Sequence, residues 1–138
     1  MIVVDTNVIS YFYLNSDYSS LAVQIFKKDP VWSAPLLWRS EFRNVLTFYT
    51  KKNILSLAEA IEIFESAEEL LKENEYEINS VQVLKLSYSS GCSAYDCEFV
   101  ILAKDLSVTL VTEDKKVLTN FPESAVSMQK FLEIHSKI

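Results

Sequence analysis

The chain has one glycine, one histidine, two cysteines and three prolines in 138 residues, and each scarcity closes off a class of chemistry. With Gly91 as its only glycine, the chain can form neither a P-loop nor a dinucleotide-binding turn, because both bring backbone close to phosphate through several glycines. ATPase, GTPase and Rossmann dehydrogenase functions are thereby excluded. His135 lies near the C-terminus and no G-x-S-x-G elbow is present, which leaves no material for a Ser-His-Asp triad. Cys92 and Cys97 are too close together to staple a long loop and match no zinc spacing, so both are expected as reduced, small apolar side chains. No apolar run reaches the roughly 18 residues of a membrane span, and Asp5 interrupts the N-terminus where a secretory signal needs continuous hydrophobicity. A cytoplasmic protein without a membrane partner is expected.

What the chain does hold is core-forming material: 49% of its residues are hydrophobic, enough at this length for one domain over residues 1–138. The formal charge of −6 argues at first against a nucleic-acid partner, but it is unevenly spread. Glu59, Glu62, Glu65, Glu68, Glu69, Glu73, Glu75 and Glu77 share one stretch with the single Lys72, and the remainder is close to neutral. Outside that stretch, Arg39, Arg43, Lys51, Lys52, Lys115 and Lys116 stand near the segments bearing Glu41 and Asp114, where a phosphate backbone could be met. The ordinary alternative is a set of solvated surface charges.

Short strands and helices alternate along the chain, the pattern of a mostly parallel sheet of four to five strands covered by helices on both faces. Strands are expected over residues 1–5, Val31 to Ala34, Val108 to Thr112 and near Ala125 to Ser127, with a strand or linker starting at Ile78. Helices are expected from Asn7 to Leu14, Ser19 to Lys28, Leu36 to Lys52, Leu57 to Leu71, Val81 to Ser89 and Ala94 to Lys104, with a short one after Asp114 and a last one at the end. The stretch from Leu57 to Leu71 places Leu57, Ala60, Ile61, Phe64, Ala67 and Leu71 at helical spacing with glutamates between them, an amphipathic helix with an acidic outer face.

Four carboxylates stand where an apolar chain has least local reason to put them. Asp5 ends Ile2-Val3-Val4, Asp96 precedes the run from Phe99 to Ala103, Asp114 follows Leu110-Val111-Thr112, and Glu41 lies on a helix. Asp5 and Asp114 also suit helix caps, and Ser93 with Asp96 has the outline of a capping box. Glu41 fits no such account, because its helical neighbours are Leu37, Trp38, Val45 and Phe48, while Arg39 and Arg43 fall about 200° round the helix. An uncompensated buried charge costs several kcal/mol, a large share of a domain's net stability of roughly 5–15 kcal/mol. Strand ends are where α/β folds gather their chemistry, and convergent carboxylates suit Mg²⁺ or Mn²⁺, hard cations that prefer oxygen. Two such ions about 4 Å apart activate water for in-line attack on a phosphodiester, chemistry that needs no histidine, cysteine or glycine-rich loop.

In order and spacing, four segments resemble the PIN-domain ribonucleases, with the closest likeness to VapC-type toxins of prokaryotic toxin–antitoxin pairs. They are Ile2-Val3-Val4-Asp5-Thr6-Asn7-Val8, Trp38-Arg39-Ser40-Glu41-Phe42-Arg43-Asn44-Val45-Leu46, Tyr95-Asp96-Cys97-Glu98-Phe99-Val100-Ile101-Leu102-Ala103 and Leu110-Val111-Thr112-Glu113-Asp114. The resemblance implies a PIN-like three-layer α/β fold, Mg²⁺- or Mn²⁺-dependent endoribonuclease activity on RNA, and control by a cognate antitoxin. It assigns Asp5, Glu41, Asp96 and Asp114 as catalytic metal ligands and Asn7 and Thr112 as supporting polar groups. Arg39, Arg43, Lys115 and Lys116 are the candidates for the RNA backbone. Cys97 stands where the family often has alanine, and Glu113 adds a carboxylate beside Asp114, leaving open which of the two faces the site. A haloacid-dehalogenase-like phosphatase needs an acid at the position of Asn7. An inactive PIN binding module and a PIN nuclease of RNA processing or quality control remain the alternatives. Trp32, Trp38, Phe42, Tyr49 and Phe64 are read as apolar surplus that supports a homodimer.

Overall fold

The computed structural model describes residues 1–135. Its elements run β1 (Ile2–Val4), α1 (Thr6–Tyr13), α2 (Ser19–Lys28), β2 (Trp32–Pro35), α3 (Leu37–Lys51), α4 (Leu57–Leu71), β3 (Glu75–Tyr76), α5 (Ser80–Ser90), α6 (Ala94–Leu106), β4 (Leu110–Val111), α7 (Lys115–Asn120), β5 (Ala125–Val126) and α8 (Met128–His135). The five strands form one sheet in the order β3-β2-β1-β4-β5, and every pairing is parallel. Parallel sheets must be covered on both faces, and all seven residues of β1 and β2 are buried, with no polar-out alternation. Right-handed crossovers then separate the helices. Those leading from β1 through β2 to β3 lie on one face, where α8 packs against α2, and α6 spans β1, β2 and β4 from the other.

Local chemistry sets the helix boundaries. Ser56 and Glu59 close a capping box at the start of α4, and Gly91, at φ +76°, ends α5 in the left-handed conformation that glycine adopts without strain. Trp32, Trp38 and Phe42 are fully buried at the centre of the core, so they build this fold and do not supply surplus surface. Each buried indole N–H finds an acceptor: Trp32 donates to the Asp29 carbonyl at 2.8 Å and Trp38 to Glu75 Oε2 at 2.7 Å. Phe64 stacks on Trp38 with ring centroids 5.4 Å apart. Both cysteines are buried free thiols. No helix among the described residues is long and apolar enough to cross a membrane.

Two expectations shift. The strand sought at Ile78 lies earlier, at Glu75–Tyr76, inside the acidic stretch. Glu75 belongs there because Arg39 reaches it twice, from Nε to Oε2 at 2.6 Å and from NH2 to Oε1 at 2.8 Å, while Arg39 NH1 meets Glu68 at 2.8 Å. A charged two-residue strand at the sheet edge also discourages further pairing. Pro35, expected just beyond β2, is its last residue.

Candidate active site

The strand order reverses between β1 and β4, and α/β sheets leave a crevice at such a switch point, beyond the carboxyl ends of the strands. Asp5 follows β1 and Thr112 follows β4 there. A cleft of about 390 Å³ opens at this place, lined by Asp5, Thr6, Asn7, Ser10, Tyr11, Glu41, Val45, Asp96 and Asp114. Four carboxylates from four separate segments thus face one space, and no lysine or arginine is among the lining residues.

Each acid is held by a specific donor. Asp5 caps α1 by accepting the Thr6 N–H on Oδ1 at 2.8 Å, while its Oδ2 accepts the Thr112 hydroxyl at 2.6 Å. Thr112 is itself fully buried, accepts the Asp114 N–H at 3.0 Å, and stands 3.5 Å from Asn7 Nδ2. One hydroxyl therefore ties Asp5 to the Asp114 backbone across the β1–β4 junction. Glu41 is half-buried, and its only hydrogen bond among the described residues comes from the Thr6 hydroxyl, 2.6 Å from Oε1. Asp114 caps α7, Oδ1 accepting from Lys116 N and Val117 N at 2.9 and 3.1 Å, and Ser93 Oγ accepts the Asp96 N–H at 3.0 Å. For Asp5 and Asp114, capping occupies one carboxylate oxygen and is compatible with a second role for the other.

Burial and crowding make the cluster electrostatically strained. Burial pushes the Asp5 carboxyl up to about 6, against the lowering effect of its Thr112 and Thr6 hydrogen bonds, with the Glu41 and Asp96 charges adding to the rise. Glu41 is raised by burial and by Asp96, against its Thr6 hydrogen bond. Asp96 is raised by burial and by Asp114, while Ser93 and Lys116 oppose the shift. Glu98, which sequence reasoning passed over, is raised by burial and by Glu41, so a fifth carboxylate feels this cluster.

The donor set fits a hard divalent cation: it is all oxygen, strongly anionic, and without a cationic side chain in its lining. Among the described residues no three His, Cys, Asp or Glu side chains stand close enough together to hold a metal ion. Mg²⁺ itself commonly takes one or two carboxylates and fills the rest of its shell with water and substrate phosphate. Ser10 Oγ, buried on the cleft wall with no hydrogen-bond partner among the described residues, is a further oxygen on that wall. Ser10 and Tyr11 escaped the sequence reading, although their helical spacing of three and four from Asn7 puts them on its face of α1.

Several candidates stand elsewhere. Arg39 is committed to Glu68 and Glu75, and so is a structural cation, not one free to meet RNA. Arg43 donates to the Arg39 carbonyl and Ser40 Oγ and lines an apolar groove of about 340 Å³ between α3 and α4, away from the carboxylates. Lys116 lies closer, with Nζ on the Gly91 carbonyl at 2.8 Å and its charge felt by Asp96, and Lys115 is exposed beside it. Glu113 accepts the N–H of Met128 at 2.8 Å and fastens the start of α8, and Asp114 is the residue of the pair that lines the cleft.

Thr112→Val retains the shape of the buried threonine but removes the hydroxyl that orients Asp5 and receives the Asp114 N–H. Losing an orienting partner of a ligand typically costs about 10- to 100-fold, and a loss of this size in metal-dependent activity or metal affinity is expected. Titrating metal into both proteins checks it, and equal affinity and activity would remove Thr112 from the site.

The sequence profile of the PIN domain family matches residues 2–123. No curated protein sequence matches the chain. Among solved structures, the chain is similar to PAE2754 from Pyrobaculum aerophilum, with TM-score 0.75, 17% identity, and coverage of 99% of this chain and 97% of that one. It is similar to FitAcB from Neisseria gonorrhoeae, with TM-score 0.70, 17% identity, and coverage of 94% and 99%. A toxin-antitoxin complex from Klebsiella pneumoniae shares the fold at TM-score 0.67, 16% identity, and coverage of 93% and 98%. At these identities the structural matches speak for the fold alone, and the profile match across most of the chain places it in the PIN domain family.

Proposed function

We propose that this protein is a Mg²⁺- or Mn²⁺-dependent endoribonuclease and the toxin of a prokaryotic type II toxin–antitoxin pair. The observation that carries the reading is the meeting of Asp5, Glu41, Asp96 and Asp114 in one cleft whose lining holds no basic side chain. Such a cleft repels an RNA phosphodiester until a cation offsets its charge, so metal and substrate bind as a set. A bound divalent cation would supply Lewis-acid stabilisation of the charge that develops on the phosphodiester in the transition state. The chain's own part is positional: Thr112 fixes Asp5, Thr6 fixes Glu41, and the α7 cap fixes Asp114. Lys115 and Lys116, next to Asp114, are the cations best placed to meet the RNA backbone.

The toxin assignment rests on membership of the PIN family and on a fold shared with the Klebsiella pneumoniae toxin-antitoxin complex. A cognate antitoxin and a cytoplasmic setting go with it. A homodimer is supported by α5, where Val81, Leu84 and Tyr88 recur at helical spacing and are 58%, 67% and 93% exposed. The purified protein is expected to cut RNA internally with Mg²⁺ or Mn²⁺ and to stop when EDTA is added. Incubation with tRNA, mRNA and rRNA followed by sequencing of the fragments tests this. Cleavage that survives EDTA, or intact RNA in every metal-containing reaction, would refute it.

A further inference from the structure

One aromatic side chain, Tyr11, stands on the wall of the carboxylate cleft, and a second packs against it. Tyr11 lines the cleft one helical turn beyond Asn7, and the ring of Tyr18 lies against it, with centroids 4.8 Å apart and planes inclined by 34°. Tyr18 is 44% exposed, although it belongs to the short connection between α1 and α2, where an apolar ring has no structural need to face water. Its backbone is nevertheless held in place. Ser16 Oγ accepts the Tyr18 N–H at 3.1 Å, while Ser19 Oγ accepts the Ser16 N–H at 3.0 Å and donates to the Leu14 carbonyl at 2.8 Å. The connection therefore holds the Tyr18 backbone in place, with its ring against Tyr11 and partly exposed.

The lining of the cleft holds no basic side chain, so contacts to the bases add to what a bound cation and the neighbouring Lys115 and Lys116 supply at the phosphates. Unpaired bases offer π-faces that stack on aromatic side chains with little regard to sequence, whereas bases inside a duplex are already stacked on one another. We propose that Tyr18, backed by Tyr11, stacks an unpaired base of the RNA strand whose phosphodiester enters the carboxylate cleft and so sets how tightly that strand is held. This rests on the nuclease assignment and adds to it the recognition element.

The test compares cleavage kinetics of wild type, Tyr18→Ala, Tyr18→Leu and Tyr18→Trp on one RNA oligonucleotide, single-stranded and annealed to its complement. Wild type should favour the single strand. Loss of one stacking partner corresponds to roughly a 5- to 100-fold rise in KM for Tyr18→Ala, with kcat nearly unchanged. Tyr18→Leu fills the space against Tyr11 without a π-face and should behave like the alanine variant, whereas Tyr18→Trp should match or improve on wild type. An unchanged KM in Tyr18→Ala, or full rescue by leucine, would overturn the stacking role while leaving the nuclease assignment standing. A wild-type protein that cuts no RNA would remove both.

Discussion

Asp5→Asn is expected to abolish metal-dependent RNA cleavage, lowering the rate by at least about a hundredfold, while leaving the fold intact. The substitution is nearly isosteric, and asparagine can still accept the Thr6 N–H and cap α1. What it removes is negative charge at the floor of the cleft, where Asp5 is held against Thr112 and surrounded by the other acids. A hard cation prefers an anionic oxygen, and the neutral amide replaces one of the two oxygens with an N–H donor that points the wrong dipole at it. Cleavage assays on the purified variant, with circular dichroism to verify the fold, decide the matter. Activity within a few-fold of wild type, with contaminating nuclease excluded, would exclude Asp5 from catalysis.

The same variant should be the more stable protein when no divalent ion is present. Asp5 titrates near 6 in the folded protein against an ordinary carboxylate value of 3.8, so the native state binds that proton more tightly than the unfolded chain does. The sign follows from this. Below about pH 4 both states are protonated and Asp5 costs nothing; between about 4 and 6 its penalty grows; above about 6 the full cost of the buried charge is present. That rise corresponds to roughly 2–3 kcal/mol, reduced for asparagine because its single oxygen stays on the Thr6 N–H and its amide N–H then faces Thr112 Oγ, in place of the charged hydrogen bond that Asp5 Oδ2 accepts.

Thermal melts in EDTA should therefore show Asp5→Asn above wild type at pH 7.5, with the gap closing towards pH 4. Adding Mg²⁺ or Mn²⁺ at pH 7.5 should reverse the order. An ion at 100 times its dissociation constant stabilises the protein that binds it by about 2.7 kcal/mol, on the order of 5–10 °C for a domain of this size, and the variant should respond far less. A wild type whose melting temperature exceeds that of the variant in EDTA at every pH would contradict the buried, uncompensated charge. A response to metal equal in both proteins would place the ion elsewhere.

Much of the secondary structure was legible because its causes are local. The span of α4 is the one expected from apolar spacing, and α2 agrees residue for residue, since a helix needs only its own periodicity and caps. The β3 strand was misplaced for the opposite reason. Two residues in a run of glutamates carry no alternation, and what makes Glu75 part of a strand is its backbone pairing with the distant β2, beside which Arg39 holds its carboxylate. The apolar residues divide the same way: composition showed that they were plentiful, but only packing sent Trp32, Trp38 and Phe42 into the core and left Val81, Leu84 and Tyr88 outside.

The acids illustrate the boundary most clearly. Asp5, Glu41, Asp96 and Asp114 could be picked out from the chain because each interrupts or abuts apolar sequence, and the same local logic marked Asp5 and Asp114 as helix caps. Both descriptions hold at once, because a carboxylate has two oxygens and the cap uses one. By itself the sequence determined the types and approximate places of most elements, the exclusion of glycine- and histidine-dependent chemistry, and the identity of the candidate acids. Tertiary structure alone decided that these acids share a cleft, that Thr112 reaches Asp5 across 107 positions, that Arg39 is spent on Glu68 and Glu75, and that Tyr11 lines the cleft with Tyr18 packed against it. Periodicity and capping act over a few residues, whereas these partners are chosen by which surfaces the sheet order and helix packing press together.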